Sequence, residues 1–229
     1  SVPYELTTSY GQGTSDGPEA ALRASTQVEL YDPLLPEDLP CGFTLHTAQP
    51  WDGEGETLKE QLQGITNYVS QFQSSFPIIL GGEHGMLPAI MKAVSQQVNL
   101  NELTLVQIDA HADLRDELEG DSDSHACAAR RSLDMGVGKI LQIGIRAFAR
   151  EEATFVAEDA RVESWLARDI LNPCGGEEMW LTPTPTVWGL QVLVLQLLVT
   201  RYCCFMREKG QPILMVRLCV PQTVRICPD

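Results

Sequence analysis

Apolar side chains recur at Leu58, Leu62, Ile65, Val69 and Phe72, spacings of 4, 3, 4 and 3. That is one continuous stripe on a helix of 3.6 residues per turn, so an amphipathic helix is predicted from Glu56 to about residue 73. The pattern then changes. FPIIL (76–80) is an unbroken apolar run closed by Gly81 and Gly82, which reads as a short, fully buried strand and a tight turn. MLPAIMKAV opens a second helix, LTLVQI is a second buried strand, HACAARRSLDMG is helix-like, and KILQIGI is a third strand. Near the start, SVPYELTTSYGQGTSDGPEAALRAS reads as the tail of a strand, a glycine-rich loop, and a helix with Asp16 as N-cap and Pro18 in its first turn. Residues 33–55, rich in Pro, Gly and acids, read as loop with at most a short strand. Strands alternating with helices predict an α/β fold with a mainly parallel sheet. Such sheets place ligands beyond the carboxyl ends of their strands.

Candidate chemistry lies where that rule points. Asp109, His111 and Asp113 follow the LTLVQI strand at every second position. In extended chain all three would project from one face and span roughly 13 Å, too far for one ion whose ligand bonds are about 2 Å long. The chain must curl out of the strand near His111, or serve two ions, or both. His84 follows the FPIIL strand, and His125 comes 12 residues after Asp113 in a polar loop. If the two strands are neighbours, these groups share one rim of the sheet, and metal binding explains them better than a charged, solvated loop does. His46 stands alone and reads as structural or exposed. Gly11, Gly13 and Gly17 depart from the G-x-G-x-x-G spacing, so their loop reads as an active-site or surface loop rather than a phosphate cradle.

Composition narrows the partners. A chain of 229 residues holds one sizeable domain, or at most two small ones. Its net charge of −15 excludes a nucleic-acid surface and is compatible with a cationic substrate. No basic stretch precedes an apolar one at the start, so no secretion signal is read. Seven cysteines include no Cys-x-x-Cys pair. They are expected to be reduced thiols of a cytoplasmic protein rather than a zinc site.

Five segments in order, VPYELTTSYGQGTSDGPEA, ILGGEHG, IDAHADLRDELEG, SHACAARR and LQIGIRAF, resemble the ureohydrolase (arginase/agmatinase) family, and its agmatinase branch in particular. The resemblance runs from about Val2 to Trp180. It implies a three-layer α/β/α sandwich carrying two manganese ions bridged by hydroxide. It also implies hydrolysis of a small guanidinium substrate, agmatine, to urea and putrescine, and assembly into homo-oligomers. Carried over by motif, the resemblance implies that His84 binds one ion and His111 the other, Asp109 bridges them, Asp113 completes the first site, and His125, near the substrate, shuttles protons or helps orient the guanidinium. The motif GGEHG stands where the family commonly has GGDHS, so Glu83 replaces an aspartate and Gly85 a serine.

The resemblance stops in the C-terminal part. The family requires a later Asp-x-Asp-x-x-Asp-Pro motif and a further glutamate, whereas everything after Trp180 holds one aspartate, Asp229, and one glutamate, Glu208. Residues 179–229 carry five Lys or Arg and two Asp or Glu, a net of +3, against 11 − 29 = −18 for residues 1–178. Two parts are therefore expected: a ureohydrolase domain over 1–178 that lacks its C-terminal portion, and an atypical tail over 179–229, such as a change of reading frame or a mistaken gene model produces. Within it, WGLQVLVLQLLVTRYCCFM approaches the minimum length of a membrane span, but Gln191, Gln196 and Arg201 interrupt it. A buried helix or strand, and no membrane, is expected there. With the second bridging aspartate missing, one ion or none is expected to be retained. The alternative to an agmatinase-type enzyme is then a catalytically inactive relative.

Overall fold

Two mostly apolar segments become the central strands. In the computed structural model, which describes residues 1–53, 55–72 and 74–171 and the strands at 191–193, 203–208 and 211–216, LTLVQI forms β1 (Leu103–Ile108), buried along nearly its whole length. KILQIGI forms β2 (Lys139–Ile145) and pairs with β1 in parallel, Leu105 opposite Ile140 and Gln107 opposite Gln142. The alternation continues past the segments read above, through α5 (Arg150–Glu158) to β3 (Val162–Leu166), which runs parallel to β2. On the far side of β1, β4 (Gln191–Leu193) adds a short parallel strand, giving the order β3-β2-β1-β4. The last two strands, β5 (Cys203–Glu208) and β6 (Gln211–Val216), form a separate antiparallel pair.

The helices follow the predicted pattern with tighter limits. The first, α1 (Gly17–Ser25), has Asp16 at its N-cap and Pro18 in its first turn, but the Asp16 side chain makes no capping hydrogen bond. The stripe at 58–72 becomes α2 (Leu58–Val69) and a 3-10 turn over Ser70–Phe72. A capping box starts α2, with the Thr57 hydroxyl accepting from the Glu60 amide and the Glu60 carboxylate returning the bond. His84–Met86 forms a 3-10 turn that leads into α3 (Leu87–Val94), and His125–Cys127 does the same for α4 (Ala128–Asp134). A short α6 (Ala167–Leu171) follows β3. Ile65, Val69, Ile90, Met91 and Leu133 pack with Leu103, Leu105, Ile140 and Ile145 into the main core on one face of the sheet. The opposite face carries a small cluster of Val106 and Leu141 with Ile108, Ile143 and Trp165, to which no helix contributes among the described residues.

FPIIL is not a buried strand. Phe76 and Ile78 are exposed and no strand forms over 76–80; at its end Gly81 bridges in parallel to Val2, whose amide donates to the Leu80 carbonyl at 2.7 Å. A strand exists only where a neighbour offers a ladder, and the free edge of β1 pairs instead with β4. The loop assignment for 33–55 holds, and His46 is exposed. Cys41 and Cys127 are free thiols. No helix among the described residues is long and apolar enough to cross a membrane. Of the apolar run in the tail, Gln191–Leu193 and the start of β5 are strand; the rest of it lies outside the described residues.

The entry to β2 is tight. A Cβ on Gly138 would stand 2.0 Å from the Asn101 carbonyl oxygen, which belongs to the turn feeding β1. Gly138→Ala is expected to cost about 1–3 kcal/mol through this overpacking, read as a lower midpoint in urea unfolding with an unchanged slope.

Candidate metal centre

At Ile108 the strand ends and the chain curls. Asp109 still donates its amide to Ile143 across the sheet at 3.0 Å, but Asp113 sits in the left-handed region at φ 52°. That conformation costs an L-residue about 1–2 kcal/mol, and the surroundings hold it there. The Asp113 carbonyl accepts from Ala129 and Arg130 at the start of α4, and the Leu114 amide donates to the buried Glu152 carboxylate at 3.0 Å. Glu152 also accepts from Ala149, tying the turn to the start of α5. The curl carries Asp113 back towards Asp109, which an extended chain cannot do.

His84 arrives at the same place by a different route. Glu83 donates its amide to the Tyr4 carbonyl at 3.1 Å, and a Cβ on Gly82 would stand 2.1 Å from that carbonyl oxygen, so only glycine passes here. His84 Nδ1 then lies 2.8 Å from Asp113 Oδ2 and 3.0 Å from Asp109 Oδ2. One ring N–H serves one acceptor. It makes its hydrogen bond to Asp113, and Asp109 Oδ2 is left buried with no hydrogen-bond partner. Ligand atoms of His84, Asp109 and Asp113 all lie within 4.8 Å of one another. Their convergence owes nothing to adjacent strands, since FPIIL does not pair with β1.

The other two candidates stand apart from this trio. The His111 ring is 64% exposed, its Nδ1 3.8 Å from Asp109 Oδ1, while its backbone amide donates to that oxygen at 2.9 Å. Asp109 thus turns one oxygen towards His84 and the other towards His111, but His111 is not in the close group. His125 is held by hydroxyls. Its amide donates to Thr7 Oγ1 at 2.9 Å, its Nδ1 lies 3.4 Å from Thr7 Oγ1 and from Ser124 Oγ, and its Nε2 lies 3.1 Å from Ser9 Oγ. Ser9 belongs to the glycine-rich loop, which therefore reaches the site. Its backbone amides cannot cradle a phosphate, because Glu5 already accepts from Gly13 and Ser15.

Charge explains what the trio is suited to. Burial alone would lower the pKa of His84, but the nearby Asp109 and Asp113 carboxylates, the latter hydrogen-bonded to the ring, outweigh it and hold the ring up at about 10. Burial would raise Asp109, yet the ring beside it and the His111 amide keep its carboxyl below the usual range. Burial pushes Asp113 up. A buried pair of carboxylates requires a compensating cation, and in this arrangement the imidazolium provides it. Two carboxylates and one imidazole, with an orphaned carboxylate oxygen aimed among them, also fit a divalent manganese ion.

Sequence reasoning did not reach Glu83 and Gly85 as a coupled pair. The Glu83 carboxylate accepts from the Thr7 amide at 2.9 Å and from the Thr7 hydroxyl at 2.8 Å. A Cβ on Gly85 would come within 2.9 Å of Glu83 Oε1 and 3.2 Å of Thr7 Oγ1. The longer acid fills the space that a serine would occupy, so the two departures from GGDHS are one compensated change. Also missed were Gln107, which donates to Asp113, and Glu152; a buried-strand glutamine was the available signal for the former.

Two outcomes follow from this geometry. Gly85→Ser alone is expected to destabilise the fold by about 1–3 kcal/mol, and Glu83→Asp in the same chain to recover most of the loss, a positive coupling in a double-mutant cycle of thermal unfolding. The second concerns protons. The raised His84 pKa stabilises the metal-free fold fully below about pH 6.5, and that contribution fades as pH rises through about 10. A metal ion must displace the same proton, so manganese affinity should rise about tenfold per pH unit below that value. Calorimetric titration in buffers of different ionisation enthalpy would detect the released proton.

With this geometry in view, comparison with known proteins is informative. The Arginase family model matches residues 1–173. The chain is 36% identical to the N(1)-aminopropylagmatine ureohydrolase of Synechocystis sp. over 181 residues, which is 75% of this chain and 58% of that protein. It is 33% identical to the agmatinase of Pyrococcus horikoshii over 73% of this chain and 57% of that protein. Its fold matches the crystal structure of a putative agmatinase from Clostridium difficile with a TM-score of 0.70 at 24% identity, covering 84% of this chain and 67% of that one. The chain thus spans a little under three-fifths of the length of these two curated relatives. An α/β fold with a parallel sheet, a family match over most of its length and a His-Asp-Asp group at the sheet rim together place the chain in the arginase family of ureohydrolases.

Proposed function

We propose that this chain carries the agmatinase-type amidinohydrolase site, reduced to its first metal position. The observation that carries the reading is the His84–Asp109–Asp113 trio, which stands at the carboxyl end of β1. In this proposal those three residues hold a manganese ion, Asp109 also faces His111, and His125 serves the substrate. Manganese bound there supplies the Lewis acidity that makes water nucleophilic near neutral pH. The chain's residues do the rest. The acidic surface attracts a guanidinium cation. Water adds to the guanidinium carbon, the bond to the alkyl nitrogen breaks, and His125, steadied by Thr7 and Ser9, passes a proton to that nitrogen as it leaves. With agmatine the products are urea and putrescine.

The proposal extends to organisation. The family match ends at residue 173, which supports a ureohydrolase part over 1–178 and an atypical tail from 179, with no described helix on the second face of the sheet. Exposed Val28, Leu30, Tyr31, Leu34, Phe43 and Leu45 support a homo-oligomer that covers them.

A second reading has its own observation. His111 stands outside the close group, and no second aspartate motif follows Trp180. A second ion would have His111 and one oxygen of Asp109, which favours a catalytically inactive relative. A single assay separates the two. Urea release from agmatine with excess Mn2+ is expected to be slow but measurable and to vanish in Asp109→Asn; no urea at any Mn2+ concentration decides for the inactive relative. Metal analysis after dialysis is expected to return at most one manganese per chain, and two tightly held ions would refute the reduced site.

A further inference from the structure

Resting on the metal position above, we propose that Gln107, Gln142 and Ser164 are positioning residues that shape the ligand turn and thereby set its affinity for the cation. They occupy one rung of the sheet: Gln107 on β1 lies directly opposite Gln142 on β2, which lies directly opposite Ser164 on β3. Gln107 is 1% exposed and Gln142 not at all. Their neighbours on the same face, Leu103, Leu105 and Ile140, belong to the main core. A leucine at either position would suit such a face, and a buried primary amide is costly there unless its donors and acceptor are met.

They are met in one direction only. Ser164 Oγ donates to Gln142 Oε1 at 2.6 Å. Gln142 Nε2 donates to Gln107 Oε1 at 2.8 Å and to the Ala112 carbonyl at 2.6 Å. Gln107 Nε2 donates to the His111 carbonyl at 3.2 Å and to Asp113 Oδ2 at 3.3 Å. Reversing either amide would set oxygen against oxygen at two contacts, so the carbonyls of His111 and Ala112 and the Asp113 carboxylate fix the polarity of the row, and the serine hydroxyl at the far end donates to match it. At the other end two amides hold three consecutive residues of the turn, His111, Ala112 and Asp113. Asp113 Oδ2 then receives both Gln107 and His84. The row spans three strands, and its far member touches no ligand.

The test reads metal affinity and turn conformation, both independent of hydrolysis. Mn2+ is titrated into the metal-free chain at fixed pH. Gln107→Met is expected to weaken binding about 10–100-fold, as loss of an outer partner of a metal ligand does. Ser164→Ala is expected to weaken it several-fold, and Ser164→Thr, which keeps the hydroxyl, to bind as the unsubstituted chain does. Val69→Ala, a core truncation on α2 away from the row, should lower the unfolding temperature with affinity unchanged. In the metal-free chain Ser164→Ala is further expected to shift the backbone amide resonances of 111–113. If Gln107→Met and Ser164→Ala lose only thermal stability, or those resonances stay in place, the row is merely structural and the inference falls. A chain that binds no Mn2+ overturns the metal position and this inference with it. A chain that shows the affinity changes but releases no urea overturns only the proposed activity.

Discussion

Two carboxylates buried side by side at the end of a parallel sheet are the constraint around which this fold is arranged. Asp109 and Asp113 are four positions apart and each less than a tenth exposed. Such a pair is tolerable only if positive charge and hydrogen-bond donors are delivered to it. Most of the unusual features near the rim are deliveries of that kind. The left-handed Asp113 exists because its carbonyl meets the start of α4 and its neighbour's amide meets Glu152. Gly82 exists because the chain must pass against Tyr4 to present His84. Gln107 is a glutamine because an apolar side chain could not donate to Asp113.

The N-terminal segment is part of the same arrangement. Val2 bonds to Leu80, Tyr4 accepts from Glu83, and Thr7 is gripped by the Glu83 carboxylate while its hydroxyl receives His125. The result is a continuous path from Glu83, beside a proposed ligand, to the proposed proton carrier. Glu83 and Gly85 are matched along that path, since the Glu83 carboxylate lies against the point where a side chain at 85 would begin.

What was legible in the chain was local. Helix α2 and strands β1 and β2 could be read because periodicity is a property of one segment. His84 was grouped with Asp109 and Asp113 on a supposed pairing of FPIIL with LTLVQI, whereas the curl at Asp113 and the passage of Gly82 against Tyr4 bring the three together. FPIIL was misjudged for the opposite reason: its apolar pattern is that of a strand, but a strand is a relation between segments, and β4 takes the edge of β1. The row from Ser164 to Asp113 was equally invisible, since it depends on the register of three strands. Its trace in the sequence is slight, one glutamine in each of two otherwise apolar runs, LTLVQI and KILQIGI.

Charge balance is the physical argument behind the proposed single cation. Deprotonated His84 with ionised Asp109 and Asp113 carries −2, which a single divalent ion neutralises in a setting largely shielded from water. A second ion would add +2 against Asp109, already shared, and His111, which is neutral when it binds a metal and is mostly exposed. No other carboxylate among the described residues joins the close group. Uncompensated charge at such a distance is expensive, so the proposed single-ion site rests on the charge balance of the described rim as well as on the number of its ligands. Asp109 turns one oxygen towards each imidazole, and the charge of the described trio matches a single divalent ion.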